Sequence, residues 1–322
     1  MFTLDALNDA TKIVRSLVPA TPAYAWPLLR KRLGMEVVVK HENHTPTGSF
    51  KARGGLVYVD SLRRGGLPPG LVTATRGNHG QSVAIAAARN ELPCLIVVPE
   101  GNSTEKNAAM AAFGGEVLIA GKDFDECRGI AAKLGEERGY HMVPSFHVEL
   151  VKGVATYAME LFTAWADLDA VYVPIGMGSG VCGLITVRDL LGLKTEIIGV
   201  VAEKAPAFAL SMEAGRPIPT NSANTFADGM ACRVPMPEPF DIIQKGAARV
   251  VTVTEDEVAD AIRAYYTDTH NLAEGAGAAP LAALTQERAR MQGKRVGVIL
   301  CGGNIDRSVF QKVLAGETPV VG

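Results

Sequence analysis

From Leu71 onward the chain alternates short apolar, β-rich runs with longer stretches of helical periodicity. "GLVTAT" precedes "GQSVAIAAARNE", "CLIVVP" precedes "TEKNAAMAAFG", and "EVLIA" precedes "DFDECRGIAAKLGEERG". Such runs read as strands buried on both faces, and the segments between them are long enough for crossover helices. A second series follows, with the helix "VELVKGVATYAMELFTAW", the strand "AVYVPI", the helix "GLITVRDLLG" and the strand "TEIIGVV". Near the end "RVVTVT" leads into a helix opened by the capping box Thr254 and Glu257, and "RVGVIL" supplies a last buried strand. The pattern predicts an α/β architecture of two open parallel sheets with helices on both faces. The Pro-rich segment 217–239 is expected to be an extended excursion, because the alternation resumes beyond it.

In open α/β sheets ligands bind beyond the carboxyl ends of the strands, so the informative loops follow "VTAT", "VYVPI" and "VGVIL". After "VYVPI" comes "GMGSGVCG", where Gly178, Gly180 and Gly183 match G-x-G-x-x-G and Glu203 stands near the end of the next strand. That is a dinucleotide fingerprint and admits a nicotinamide-dependent oxidoreductase. The physics is more general, since glycines let backbone N–H groups approach any phosphate at a helix N-terminus. The fingerprint usually opens the first βαβ unit, and here several units come before it. A glycine turn that only packs helix on strand is the remaining alternative.

After "VTAT" comes "RGNHGQS", where Gly77 and Gly80 free amides at a helix start to hold a carboxylate and Asn78 offers a donor and an acceptor. His79 taken alone reads as a surface residue behind an N-cap. After "VGVIL" comes "CGGNID", in which Cys301 is a reactive thiol, a weak hydrogen-bond partner or a small buried side chain. No basic neighbour in sequence lowers its pKa, so it is not expected to be a nucleophile. The fourth informative stretch lies upstream, in "TGSFKARG". Lysine is the side chain that condenses with an aldehyde, and Lys51 is set behind Phe50 among residues small enough to let a ring lie against the backbone.

The 322 residues are 48% hydrophobic with a formal net charge of −2, enough for a sizeable core and without the basic footprint of a nucleic-acid or membrane-surface binder. Small-molecule partners are expected. The cysteines Cys94, Cys127, Cys182, Cys232 and Cys301 are odd in number and lack CxxC spacing, which fits a reducing, cytoplasmic setting rather than a disulfide framework or zinc site. No apolar stretch is long enough to span a bilayer, and the N-terminus lacks a signal-peptide pattern.

Together these loops resemble the fold type II pyridoxal-phosphate enzymes, and within them the serine/threonine dehydratase family that includes serine racemase. The resemblance runs from "TPAYAWPLLRKRLGMEVVVKHENHTPTGSFKARGG" through "RGNHGQS", "VPIGMGSGVCG", "TFADGMA" and "EGAGAAPLAAL" to "VILCGGNID", in the family's order. It implies two open αβα domains of the tryptophan synthase β type. Residues 1–61 and 148–322 would form a large cofactor-binding domain, and 62–147 a small domain that closes on substrate. It implies that Lys51 links covalently to pyridoxal 5'-phosphate beside Phe50, and that Asn78 bonds the pyridine hydroxyl oxygen. Gly176, Met177, Gly178, Ser179 and Gly180 would cradle the phosphate, with Glu274 and Cys301 also at the cofactor and Cys301 facing the ring nitrogen. Ser49, Thr75, Arg76, Gly77, Asn78 and His79 would contact the substrate. A thiol at the ring nitrogen leaves the ring a shallower electron sink than a carboxylate would, which favours elimination over transamination. The implied reaction is α,β-elimination: Lys51 takes the α-proton, the β-hydroxyl leaves with help from the cofactor phosphate, and the product decays to a 2-oxo acid and ammonia. Relatives are commonly homodimers.

The chain departs from the family at Arg76, where serine is common and serves serine racemase as a second acid/base. A guanidinium cannot be that base, so racemization is not expected. Pointing inward, Arg76 would read a second carboxylate, as in 3-hydroxyaspartate, or an aromatic ring, as in phenylserine; pointing outward it is a solvated loop residue. Threonine or serine is the default substrate. Val201 and Ala207 stand where some relatives carry metal-binding carboxylates, leaving only Glu203, so no such metal site is expected. The chain ends soon after "CGGNID", and no C-terminal regulatory domain is expected. A silent amino-acid-binding protein on the same scaffold is a third class, which would be expected to lack Lys51.

Overall fold

The computed structural model describes residues 1–320. Its strands are β1 (Ala23–Ala25), β2 (Glu36–His41), β3 (Leu71–Ala74), β4 (Cys94–Val98), β5 (Glu116–Ile119), β6 (His141–Met142), β7 (Ala170–Pro174), β8 (Glu196–Ala202), β9 (Arg249–Val253) and β10 (Arg295–Leu300). The chain divides into two compact units, one built from Ala20–His44 and from Tyr157 onward, the other from Phe2–Pro19 and Thr45–Thr156. Residues 62–147, expected as the small domain, lie wholly in the second unit, which also takes in 2–19, 45–61 and 148–156.

In that second unit the strand order is β5-β4-β3-β6, parallel throughout. Alternate side chains of a strand point to opposite faces, and both faces are covered. Leu71, Ile96 and Val98 face a core with Ala52, Leu56, Val83, Ala84 and Met110. Val72, Ala74, Leu95 and Val97 face another with Cys127 and Ala131. The Lys51–Leu62 and Asn78–Ala88 helices belong to the first of these faces and the Phe124–Arg138 helix to the second.

The helix contact explains "KARGG". A Cβ on Gly55 would lie 2.3 Å from Ser82 Oγ and 2.6 Å from its carbonyl oxygen; one on Gly54 would lie 2.9 Å from the Leu150 carbonyl. These glycines let helices approach one another, a different use from the expected clearance for a ring. Arg53 between them is fully buried and donates to Thr156 Oγ1 at 3.0 Å.

The first unit holds a six-stranded sheet of order β1-β2-β10-β7-β8-β9. The five longer strands are parallel, with β10 in full register beside β2 from Arg295↔Glu36 to Leu300↔His41. β1 departs from the all-parallel expectation, running antiparallel along β2 from Ala23↔Lys40 to Ala25↔Val38. At three residues it is too short to register in an apolar-run pattern. Segment 217–239 is largely irregular as expected, but it contains a short 3-10 turn at Asp228–Met230, and its last residues open the Pro237–Gly246 helix. The capping box forms: Glu257 N–H donates to Thr254 Oγ1 at 3.1 Å, and Thr254 N–H to Glu257 Oε2 at 2.7 Å.

Behind β2 lies a buried charge cluster. Lys40 Nζ donates to Glu160 Oε2 at 2.6 Å and to the Thr21 carbonyl at 2.7 Å, with Glu42 Oε1 at 3.7 Å. Lys40 and Glu42 are buried to 1% and 0% exposure, so each charge depends on these partners.

Candidate active site

Lys51 is the first residue of its helix, and Phe50 stands at the N-cap. The ammonium lies 5.0 Å from the centroid of the Phe50 ring. Ser82 ties the start of this helix down, donating from Oγ to the Lys51 carbonyl at 2.6 Å and accepting from Gly55 N–H at 3.2 Å. Ser49, just upstream, has its backbone N–H and C=O on Thr45 Oγ1 at 2.9 and 2.7 Å, while its own hydroxyl is buried without a partner.

The loop after β3 belongs to the same unit. Thr75 Oγ1 accepts from Gly77 N–H at 3.0 Å and Gly80 N–H at 3.3 Å, folding the loop over the start of the Asn78–Ala88 helix. A Cβ on Gly80 would fall 2.3 Å from Met110 Sδ, so glycine is needed there for close packing. The first turn of this helix presents N–H groups that helix geometry leaves without intrahelical acceptors, a ready carboxylate site.

His79 is not the surface residue that its sequence position suggests. Burial first, and the neighbouring Lys51 charge second, lower its pKa to about 3, against a hydrogen bond to the Val143 backbone that acts in the opposite sense. Its Nε2 is buried with no partner. The ring is therefore neutral at ordinary pH and stands within electrostatic range of Lys51. Arg76 is exposed. Its charge acts on the Cys127 thiol, partly offsetting the burial and the Asp123 carboxylate that raise that thiol to about 11. Cys127 lines the core on the sheet face opposite the Lys51–Leu62 helix.

In the first unit, β7 and β10 are adjacent and parallel, so their carboxyl-end loops leave at one sheet edge. Gly176 to Gly180 follow β7, and the Ser179–Leu190 helix begins behind Gly178. Gly178 has φ +98°, a left-handed conformation that disfavours a side chain. A Cβ on Gly176 would sit 2.3 Å from the Gly229 carbonyl oxygen. Tyr157 Oη donates to the Gly180 carbonyl at 3.1 Å, fixing the loop from behind. The arrangement is a glycine cradle feeding a helix N-terminus, which holds an anion with backbone donors. Met177 is half-buried in that loop.

Cys301, at the end of β10, is buried, and its thiol donates to Glu274 Oε1 at 3.9 Å. Glu274 is also buried and stands at the N-cap of the Gly275–Gln286 helix, its N–H on the Gly302 carbonyl at 3.1 Å. One group here went unnoticed in sequence: Tyr265, on the Glu255–Thr269 helix, is fully buried and its hydroxyl has no partner. Proximity to Cys301 adds to the burial that raises its pKa. Only its place on the apolar face of a helix could have signalled it.

The five cysteines are buried and none is in a disulfide. Among the described residues no helix is long and apolar enough to cross a membrane. Glu203 is exposed, just beyond β8.

The second unit carries an amine beside an aromatic ring and an amide-rich loop, and the first carries a glycine loop at a helix N-terminus; taken unit by unit, these are the kinds of group that handle a phosphorylated aldehyde. The unpartnered Ser49 hydroxyl in the second unit and the unpartnered Tyr265 hydroxyl in the first are buried polar groups that such a molecule could satisfy. The chain belongs to the pyridoxal-phosphate dependent enzyme family, whose model matches residues 14–302, and within it to the fold type II serine/threonine dehydratases. The family's cofactor, pyridoxal 5'-phosphate, is accordingly this chain's cofactor.

The L-threonine ammonia-lyase of Geobacter sulfurreducens is 38% identical over 98% of this chain and 78% of its own length. The L-threo-3-hydroxyaspartate ammonia-lyase of Saccharomyces cerevisiae is 28% identical over 96% of this chain and 95% of its own. The solved structure of the processed form of threonine deaminase isoform 2 from Solanum lycopersicum superposes with a TM-score of 0.91 at 31% identity, covering 97% of this chain and 88% of that one. The chain spans 59% of the length of the biosynthetic threonine dehydratases of Salmonella typhimurium and Escherichia coli that it also matches.

Proposed function

We propose that this protein is an ammonia-lyase that dehydrates a β-hydroxy-L-amino acid, threonine or serine, to a 2-oxo acid and ammonia. The observation that carries this reading is the pairing of Lys51 with the loop Thr75 to His79 in one unit. An amine and an anion-binding helix start stand on adjoining helices locked together through Ser82. The relatives named threonine ammonia-lyase support the same reaction class.

Pyridoxal phosphate, when bound, supplies the electron sink that acidifies the substrate Cα–H. Lys51 Nζ would hold it and is the amine placed to act as the base for the Cα proton. The amides opening the Asn78–Ala88 helix would hold the substrate carboxylate, and Asn78 and Phe50 would contact the cofactor. Gly176 to Gly180 would hold the phosphate through backbone N–H groups, as a helix N-terminus preceded by glycines can. His79, neutral and with Nε2 unpartnered, offers an acceptor to a substrate hydroxyl rather than a second positive charge. Arg76 is exposed and is given no part in this scheme, with threonine and serine as the default substrates.

A second reading, 3-hydroxyaspartate as substrate, is supported by the end-to-end match to the Saccharomyces cerevisiae enzyme. We also infer a cytoplasmic homodimer with the residues 62–147 closing on bound substrate, in keeping with the family.

The test is 2-oxo acid release from L-threonine, L-serine, threo-3-hydroxyaspartate and threo-phenylserine by the purified protein with pyridoxal phosphate. Release from threonine or serine fits the first reading. Turnover confined to hydroxyaspartate selects the second, and no release from any of the four sinks both.

A further inference from the structure

Both glycines of the loop after β3 are covered by side chains of one helix, Thr104–Ala112. A Cβ on Gly77 would lie 2.6 Å from Lys106 Cδ, 3.3 Å from its Cγ and 3.5 Å from its Cβ. One on Gly80 would lie 2.3 Å from Met110 Sδ. Lys106 and Met110 are four residues apart in the chain, so they leave the helix on one face, one turn from each other. Both are buried, at 8% and 0% exposure. Lys106 stands in the first turn, where its N–H donates to the Ser103 N-cap Oγ at 3.0 Å and fixes the start of the side chain.

A lysine with so little exposure is uncommon. The atoms nearest the side-chain space of Gly77 are all carbons of its stem, so methylenes do the packing there whatever the ammonium binds. Thr75 Oγ1 also holds both glycines, accepting from Gly77 N–H at 3.0 Å and from Gly80 N–H at 3.3 Å. Each glycine is thus pinned twice, by a hydroxyl and by a helix side chain. The amides of Asn78 and His79 lie between the pinned points. A close-packed interior has little slack, so shortening the stem at Lys106 opens a void beside Gly77 into which the loop can move.

We propose that Lys106 is the positioning residue of the carboxylate loop: its stem fills the side-chain space of Gly77 and holds the Asn78 and His79 amides where a substrate carboxylate meets them. The proposal rests on the functional reading above and adds a residue outside the loop that sets affinity. Threonine and serine carry the same α-carboxylate, so Lys106 acts alike on both. A contact to that carboxylate is made in the ground state and kept in the transition state, so weakening it raises KM more than it lowers kcat. No covalent step is added by Lys106.

The experiment compares wild type, Lys106→Ala and Lys106→Met. Hydrogen exchange of the peptide covering residues 75–81 is followed in the purified protein without substrate, and kcat and KM are measured for L-threonine and L-serine, with thermal melts of each protein. Methionine keeps an unbranched stem and drops the charge, whereas alanine stops at Cβ. Expected for Lys106→Ala are about tenfold faster exchange at the Gly77 and Gly80 amides and about tenfold higher KM on both substrates, with kcat within about threefold. Lys106→Met should stay within about threefold of wild type in exchange and in KM. Should Lys106→Ala fail to fold, Lys106→Ser, which stops at Oγ, should show the same two changes. Wild-type exchange or wild-type KM in the shortened variant overturns the proposal. So does a Lys106→Met protein that loses as much as Lys106→Ala, which assigns the effect to the charge, and so does a KM rise on only one of the two substrates. A wild-type protein that releases no 2-oxo acid from either substrate overturns the functional reading, and the carboxylate role with it, whatever the exchange rates.

Discussion

Ser82 Oγ sits 2.6 Å from the carbonyl oxygen of Lys51 and 3.2 Å from the N–H of Gly55, so one hydroxyl clamps the first turn of the lysine-bearing helix to the neighbouring helix. That clamp sets where the Lys51 amine can reach. It works because residue 55 has no Cβ to push Ser82 away.

Ser82→Ala should lower stability by about 1–3 kcal/mol, losing its hydrogen bonds to the Lys51 carbonyl and from the Gly55 N–H. Gly55→Ala should be the more harmful, because its methyl would lie 2.6 Å from the Ser82 carbonyl, which cannot rotate away. Urea unfolding and kcat measured on both variants would show the order; a Gly55→Ala protein with wild-type stability and turnover contradicts the clamp.

Lys40 offers a second test, of folding rather than chemistry. Its amine serves Glu160, Glu42 and the Thr21 carbonyl inside the first unit. Lys40→Met removes the cation beside two carboxylates and should destabilise by about 3–5 kcal/mol, whereas Lys40→Met combined with Glu160→Gln should lose less than the two single changes added together. Additive losses in denaturant titrations would show that the charges act independently.

His79 gives a pH prediction. Its folded pKa, about 3, lies below the ordinary value of 6.5, so on acidification the unfolded chain takes up a proton that the folded chain refuses. Stability is complete above the ordinary value and falls as pH drops toward the folded one. His79→Gln should remove about 1–2 kcal/mol of the loss seen between about pH 7.5 and about pH 5, allowing for the ring's partial exposure. Parallel stability curves for the variant and wild type would mean that the ring titrates freely.

The βαβ rhythm, the capping box and all four glycine- or lysine-bearing loops were legible in the sequence, because continuous apolar runs and strand-to-helix glycines are local signals. Tyr265 was not. A tyrosine on the inward face of a helix reads as core, and only three-dimensional neighbours reveal an unpartnered hydroxyl. The small residues around Lys51 were read as clearance for a ring, whereas Gly54 and Gly55 meet other helices, since a glycine's neighbour cannot be inferred from its own position. The grouping of 2–19 and 45–61 with the second unit was likewise hidden: the Lys51–Leu62 helix follows β2 in sequence but packs on the helix after β3.

Arg76→Ser should leave threonine turnover within about twofold of wild type, the usual limit for an exposed loop side chain outside the chemistry. It should also spare 3-hydroxyaspartate and phenylserine to the same degree. Selective loss on the acidic or aromatic substrate, measured as kcat/KM, would bring the guanidinium back into the site.

The account rests on Lys51 as the residue that carries the cofactor. Borohydride reduction of the protein incubated with pyridoxal phosphate, followed by peptide mass mapping, tests it most directly. The prediction is a reduced phosphopyridoxyl group on the peptide containing Lys51 and none in Lys51→Ala. Label spread over exposed lysines, or label unchanged in the variant, would contradict it.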